Sequence, residues 1–295
     1  MKAGVIVPQG WTGEYHGWEP QRAWQRSLDV ARQAERLGFD SIWAFDHFHT
    51  TPDPTDELTL ESFTFLTALS QQTSRVRIGH IVICAGFRNP ALTAKMIATL
   101  DVVSGGRAVL GIGAGWKREE WLAYGYEFPE TRDRLGALRD QLEVITRMLA
   151  PGRATYEGRY ARVDGAINLP RGLQEPRVPI MVGGNGPEVT WRLAARFADE
   201  LNLDSMPVDE IETNLPVIAA RCEEVGRDPG TLAVSLHIWA DQVAEAGPPR
   251  VERLQRCREL GLSRVQCLLK ASVDSDEALE SFAADCRAAG VSLDG

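Results

Sequence analysis

The sequence has few cysteines and none of them sits in a CxxC pair: Cys84, Cys222, Cys257, Cys267 and Cys286 are the whole set. An odd, scattered five excludes a disulfide framework or a zinc knuckle and fits a reducing cytoplasm. There is no apolar stretch near the ~18 residues that a membrane span needs, and the first apolar run, in MKAGVIVPQG, is too short for a signal peptide. Long basic runs are also missing. With a net charge of -9, nucleic acid is excluded as a partner. The five histidines, His16, His47, His49, His80 and His237, form no metal-binding spacing, so no metal is expected. No P-loop, no GxSxG and no GxGxxG is found; Gly111-x-Gly113-x-Gly115 comes near the last, but Trp116 ends it.

What is present is a rhythm. Short, continuous apolar runs lie at 3–7, 41–45, 77–83, 108–112, 179–183, 200–204, 233–238 and 265–269, each followed by a segment that reads as helix. Asn89-Pro90 and Gly186-Pro187 read as helix starts, and Leu37-Gly38-Phe39 as a stop. Apolar strands without alternation, separated by amphipathic helices, predict a parallel sheet covered on its outside. Eight such units in 295 residues predict a (β/α)8 barrel, an α/β fold, as a single domain over 1–295. The interval 113–178 is too long for one helix. It predicts an insertion after strand 4, with a hairpin at 154–166 turning at Glu157-Gly158, as a lid or substrate wall.

In a parallel barrel, chemistry sits at the C-terminal ends of the strands. Asp46 and His47 follow the second run directly and should face the mouth. Cys84 ends the third, where it reads more readily as a packed small residue than as a nucleophile. The fourth ends in three glycines and Trp116, which let something flat approach the backbone; Lys117 and Arg118 follow. The fifth runs into Gly183-Gly184-Asn185-Gly186, a strand–glycine–helix context suited to a phosphate.

These segments together resemble the luciferase-like superfamily of flavin- and deazaflavin-dependent oxidoreductases. The markers are GFDSIWAFDHF (38–48), IGHIVICAGFRNPALTAKMIATLDVVSGGRAVLGIGAGW (78–116), EEWLAYGYEFP (119–129), TYEGRYARVDGA (155–166) and VPIMVGGNGPEVTWRLAARFADELN (178–202). Within it the chain is most similar to the branch that uses coenzyme F420. The resemblance implies a TIM barrel with a tricyclic ring in its mouth, resting on a third-strand bulge whose Ile81–Val82 peptide is cis. Gly113, Trp116, Cys84 and the 183–186 loop would complete the cofactor site. His47 would exchange a proton with the substrate while Asp46 orients it or polarises the ring. A small-molecule substrate and a homodimer are implied. FMN with a monooxygenase reaction is the alternative, and a flavin-binding barrel without turnover a third. Deazaflavin-dependent sugar-phosphate dehydrogenases carry a Trp after the Asp-His pair and an acid after the fourth-strand glycines; here stand Thr50, Thr51 and Trp116. The anionic tail of F420 would need a locally basic rim, for which Arg88, Lys117 and Arg118 are the candidates.

Overall fold

The computed structural model describes residues 1–239 and 245–294. Its strands are β1 (Lys2–Ile6), β2 (Ser41–Ala44), β3 (Arg77–His80), β4 (Ile83–Cys84), β5 (Ala108–Gly113), β6 (Arg153–Glu157), β7 (Arg162–Ile167), β8 (Ile180–Gly183), β9 (Glu200–Asp204), β10 (Ala233–Ile238) and β11 (Arg264–Leu268). The helices are α1 (Pro20–Leu37), α2 (Ser62–Ser70), α3 (Pro90–Val103), α4 (Arg118–Ala123), α5 (Thr131–Leu149), α6 (Thr190–Phe197), α7 (Val208–Glu224), α8 (Pro248–Glu259) and α9 (Glu277–Ala288).

All strands but β6 and β7 pair in parallel in one closed sheet, β3-β2-β1-β11-β10-β9-β8-β5-β4, with β3 also pairing β5. β3 and β4 are two halves of one barrel position, interrupted at Ile81-Val82, so the sheet is the expected (β/α)8 barrel. The Ile81–Val82 peptide is cis. The run 77–83, read as one strand, is therefore broken where the chain bulges into the mouth.

The glycines of β5 explain how that bulge is accommodated. A Cβ on Gly111 would lie 1.9 Å from the His80 carbonyl oxygen, and one on Gly113 would lie 2.9 Å from Val82 Cγ2. These glycines thus make room for the neighbouring strand, and not only for a ligand. Between sheet and helices lies the main apolar core, while Ile6, Trp11, Trp43, Phe45, Ile81, Val109, Met181 and Leu268 form a second cluster inside the barrel. At the closed end, Arg264 spans Asp40 (2.8 Å) and Glu200 (2.6 Å), an ion network sealed by its own partners.

Two local expectations change. Asn89 caps α3 through its side chain, with Pro90 at the first helical position, as expected. Gly186-Pro187, however, opens a turn, and α6 starts only at Thr190. The hairpin β6–β7 exists, with its loop at 158–161, but it packs on α5: the Tyr156 hydroxyl donates to Asp140 (2.9 Å), as does the Tyr160 backbone N–H (2.8 Å). It does not line the mouth. Within the 113–178 insertion it is α4, through Glu120 and Trp121, that lines the mouth. Among the described residues, no helix is long and apolar enough to cross a membrane.

Candidate active site

A cavity of about 420 Å³ opens at the C-terminal ends of the strands. That is within the ordinary range for a site that holds an organic cofactor or substrate. Asp46, His47, Ile81, Val82, Cys84, Gly113, Trp116, Gly183, Gly184 and Asn185 all line it; Gly186 does not. The Gly184 N–H is already bonded to the Asn202 carbonyl (3.0 Å), so it is not free for a phosphate. Asn185 braces the neighbouring strand end: its amide donates to the Asp204 carbonyl (2.7 Å) and its oxygen accepts from the Asp204 N–H (2.9 Å).

Asp46 and His47 are adjacent in sequence but belong to different networks. The Asp46 carboxylate takes two bonds from Arg88 (2.7 and 2.8 Å), one from Ser62 Oγ (2.8 Å) and one from the Cys84 N–H (2.9 Å). Burial alone would raise this carboxyl, but the Arg88 guanidinium outweighs it and holds Asp46 ionised below the ordinary range. With both oxygens occupied, Asp46 anchors β2 to β4 and α2; it does not touch His47. Arg88, expected at the rim, is consumed by this anchor and by Glu61 (3.1 Å).

The partner of His47 is Glu120, a residue that sequence reasoning passed over. His47 Nδ1 lies 2.8 Å from Glu120 Oε2, and the Phe48 N–H donates to Oε1 (2.7 Å). Burial would raise the Glu120 carboxyl as well; the His47 bond and charge reverse this and keep it low. An ionised Glu120 can only accept, so Nδ1 carries a proton, and in the neutral ring the Nε2 lone pair is left free. The ring is fixed from a second direction by Trp11, stacked at 4.1 Å and 4°. Glu120 could have been found one turn beyond Trp116, at the start of the helix that leaves the glycine-rich strand end.

Two further groups were missed. Asp204 and His237 face each other across the β9–β10 register, with His237 Nδ1 3.1 Å from Asp204 Oδ1. Trp239 Nε1–H donates to the same oxygen (2.9 Å). Both residues end predicted strands, which was the available signal. His237 Nε2 and Trp11 Nε1 are buried polar atoms of cavity-lining residues with no hydrogen-bond partner among the described residues. Cys84 is sealed: burial pushes its thiol up to about 12, which rules out a thiolate nucleophile at neutral pH. Lys117 is buried too, its ammonium donating to the Thr50 carbonyl (3.0 Å), so it is not a rim cation. Trp116 stands 63% exposed at the entrance, edge-on to His47.

A closed parallel barrel with a histidine–carboxylate pair at its strand ends is an α/β barrel with an enzyme-like mouth. The sequence profile of the luciferase-like monooxygenase family matches residues 1–246, and the chain belongs to that family. It is 36% identical over 213 residues to a protein of Kineococcus radiotolerans named F420-dependent glucose-6-phosphate dehydrogenase, a match that covers 71% of this chain and 62%, less than two thirds, of that relative. A protein of the same name from Microbacterium testaceum is 32% identical over 283 residues, covering 87% of this chain and 82% of the relative. Among solved structures, an F420-dependent secondary alcohol dehydrogenase in complex with an F420-acetone adduct superposes with a TM-score of 0.77 at 21% identity, covering 95% and 98% of the two chains. A monooxygenase from Streptomyces bottropensis gives 0.68 at 24% identity, covering 98% and 87%. At such identities these two likenesses concern the fold.

Proposed function

We propose that the chain is an oxidoreductase that uses coenzyme F420 to move a hydride to or from an organic alcohol or carbonyl compound. The observation that carries this is the His47–Glu120 pair: a histidine with one nitrogen fixed on a buried carboxylate and the other left free beside a cofactor-sized cavity. Membership of the family and the names of its relatives support the cofactor. The residues fit it. Ile81, Val82 and Cys84 form a bulged platform, Gly113 presents bare backbone beside it, and Gly183 and Asn185 stand at the adjoining strand end. The orphaned Trp11 Nε1 and His237 Nε2 provide polar atoms still to be matched.

When bound, F420 supplies the hydride acceptor or donor. The protein supplies the proton path. In the alcohol direction His47 Nε2 takes the hydroxyl proton, and Glu120 stabilises the resulting imidazolium; in the carbonyl direction the same nitrogen returns it. Trp11 and Glu120 hold the ring in place, so the geometry is set before substrate arrives. Asp46 positions the β2 end and plays no part in the proton transfer.

One observation favours FMN instead. With Arg88 and Lys117 both engaged, Arg118 is the one of the three expected rim cations left exposed for an anionic tail. Equilibrium titration of the purified chain with each cofactor decides. Tighter binding of F420 supports the proposal; tighter binding of FMN replaces it with a monooxygenase. We also infer a homodimer through the α3 face, supported by exposed Leu92 and Val103 beside exposed Leu169 and Leu173. Light scattering in solution reads the mass directly.

A further inference from the structure

We propose that the substrate is an uncharged alcohol or carbonyl compound with an aromatic or alicyclic body, and not a sugar phosphate or other anion. This rests on the oxidoreductase reading above and adds the substrate class.

Among the described residues, every charged side chain that lines the cavity already has a partner in the chain. Asp46 is matched by Arg88, Glu120 by His47, and Asp204 by His237 and Trp239. Lys117 is the one Lys or Arg in the described lining. Its ammonium is buried and anchored on the Thr50 carbonyl (3.0 Å); burial lowers its pKa, against the opposing charges of Glu120, Glu119 and Asp53. An anion entering here finds this one lining cation already engaged. Desolvating a charged substrate group beside His47 without a free lining cation is costly, so the lining around His47 disfavours an anionic substrate.

The walls favour the opposite chemistry. Trp11 lies 4.3 Å from Phe45 and 5.3 Å from Trp239, and Trp239 stacks on Phe45 at 5.5 Å and 9°. Trp116 extends this surface to the entrance. An aromatic wall of this kind rewards a flat apolar body, while His47 serves its single oxygen.

The test uses probes that differ by one charge. Ligand-observed NMR on the cofactor-free chain compares acetophenone with 4-acetylbenzoate. The neutral ketone is expected to show saturation transfer that Trp239→Ala or the exposed Trp116→Ala weakens, and the carboxylate to show at least tenfold weaker binding. In the F420-loaded protein, 1-phenylethanol should exceed 4-(1-hydroxyethyl)benzoate and glucose 6-phosphate by tenfold or more in kcat/KM. Equal or better binding of the anion, efficient oxidation of glucose 6-phosphate, or binding of neither probe overturns the substrate class. Failure to bind F420 with the NMR preference intact overturns the cofactor reading alone.

Discussion

Among the described residues the mouth contains two histidine–carboxylate pairs, and they are built in opposite senses. In the first, the carboxylate is behind: the Glu120 side chain is 1% exposed while His47 is 13% exposed and stands in front of it. In the second, the histidine is behind: His237 is 4% exposed and Asp204 is 55% exposed at the rim. A buried carboxylate fixes the tautomer of a histidine that can still reach a ligand. An exposed carboxylate over a buried histidine braces two strand ends and aims Trp239. Similar pairs are therefore built in two ways, and in the proposed function burial order assigns proton transfer to the first.

The most severe disruption of this asymmetry is His47→Ala, which should lower turnover about 100-fold with F420 affinity changed far less. His237→Gln should change turnover only a few-fold; a loss as large as that of His47→Ala would erase the distinction. Next comes Glu120→Gln. The amide can present its NH2 to Nδ1 and favour the tautomer with the proton on Nε2, so alcohol oxidation should fall about tenfold and its pH profile should shift.

A smaller effect concerns a third histidine, outside both pairs. His80 is fully buried against Phe63 with neither nitrogen bonded, and burial lowers its pKa from 6.5 to about 4. Between those values the unfolded chain binds the extra proton and the native one does not. The stability from keeping His80 neutral is therefore complete above pH 6.5 and is lost as pH falls toward 4. The shift corresponds to about 3 kcal/mol. Urea midpoints measured from pH 7 down to 4.5 should fall for the wild type and flatten in His80→Leu. Below pH 4.5 the lowered carboxyls of Glu120 and Asp46 add their own loss in the same direction.

The barrel was legible because its signal is repetitive. Eight apolar runs recur, and each strand of the barrel falls on or within a residue or so of one of them. The position of His47 was legible for the same reason, since a strand end in a parallel barrel is a mouth. What it bonds to was not. Glu120 is distant in sequence, and only the path of α4 brings it to Nδ1. Asp46 illustrates the converse: proximity in sequence suggested a partnership that Arg88, supplied by the loop before α3, takes away. The hairpin was found but misplaced, because alternation reveals a strand pair and says nothing about the surface it packs on. Rim charge was overcounted for a related reason, since Arg118 alone of its three candidates stays exposed. A sequence counts Arg88 and Lys117 as cations, whereas folding spends both on acceptors within the chain.

The most direct test of the central claim is single-turnover reduction of bound F420 by the fastest alcohol of the probe panel, run side by side for the wild type, His47→Ala and His237→Gln. The account predicts that the first variant is slowed about 100-fold and the second only a few-fold, at matched F420 occupancy. Equal slowing in both, or greater slowing in His237→Gln, would contradict it.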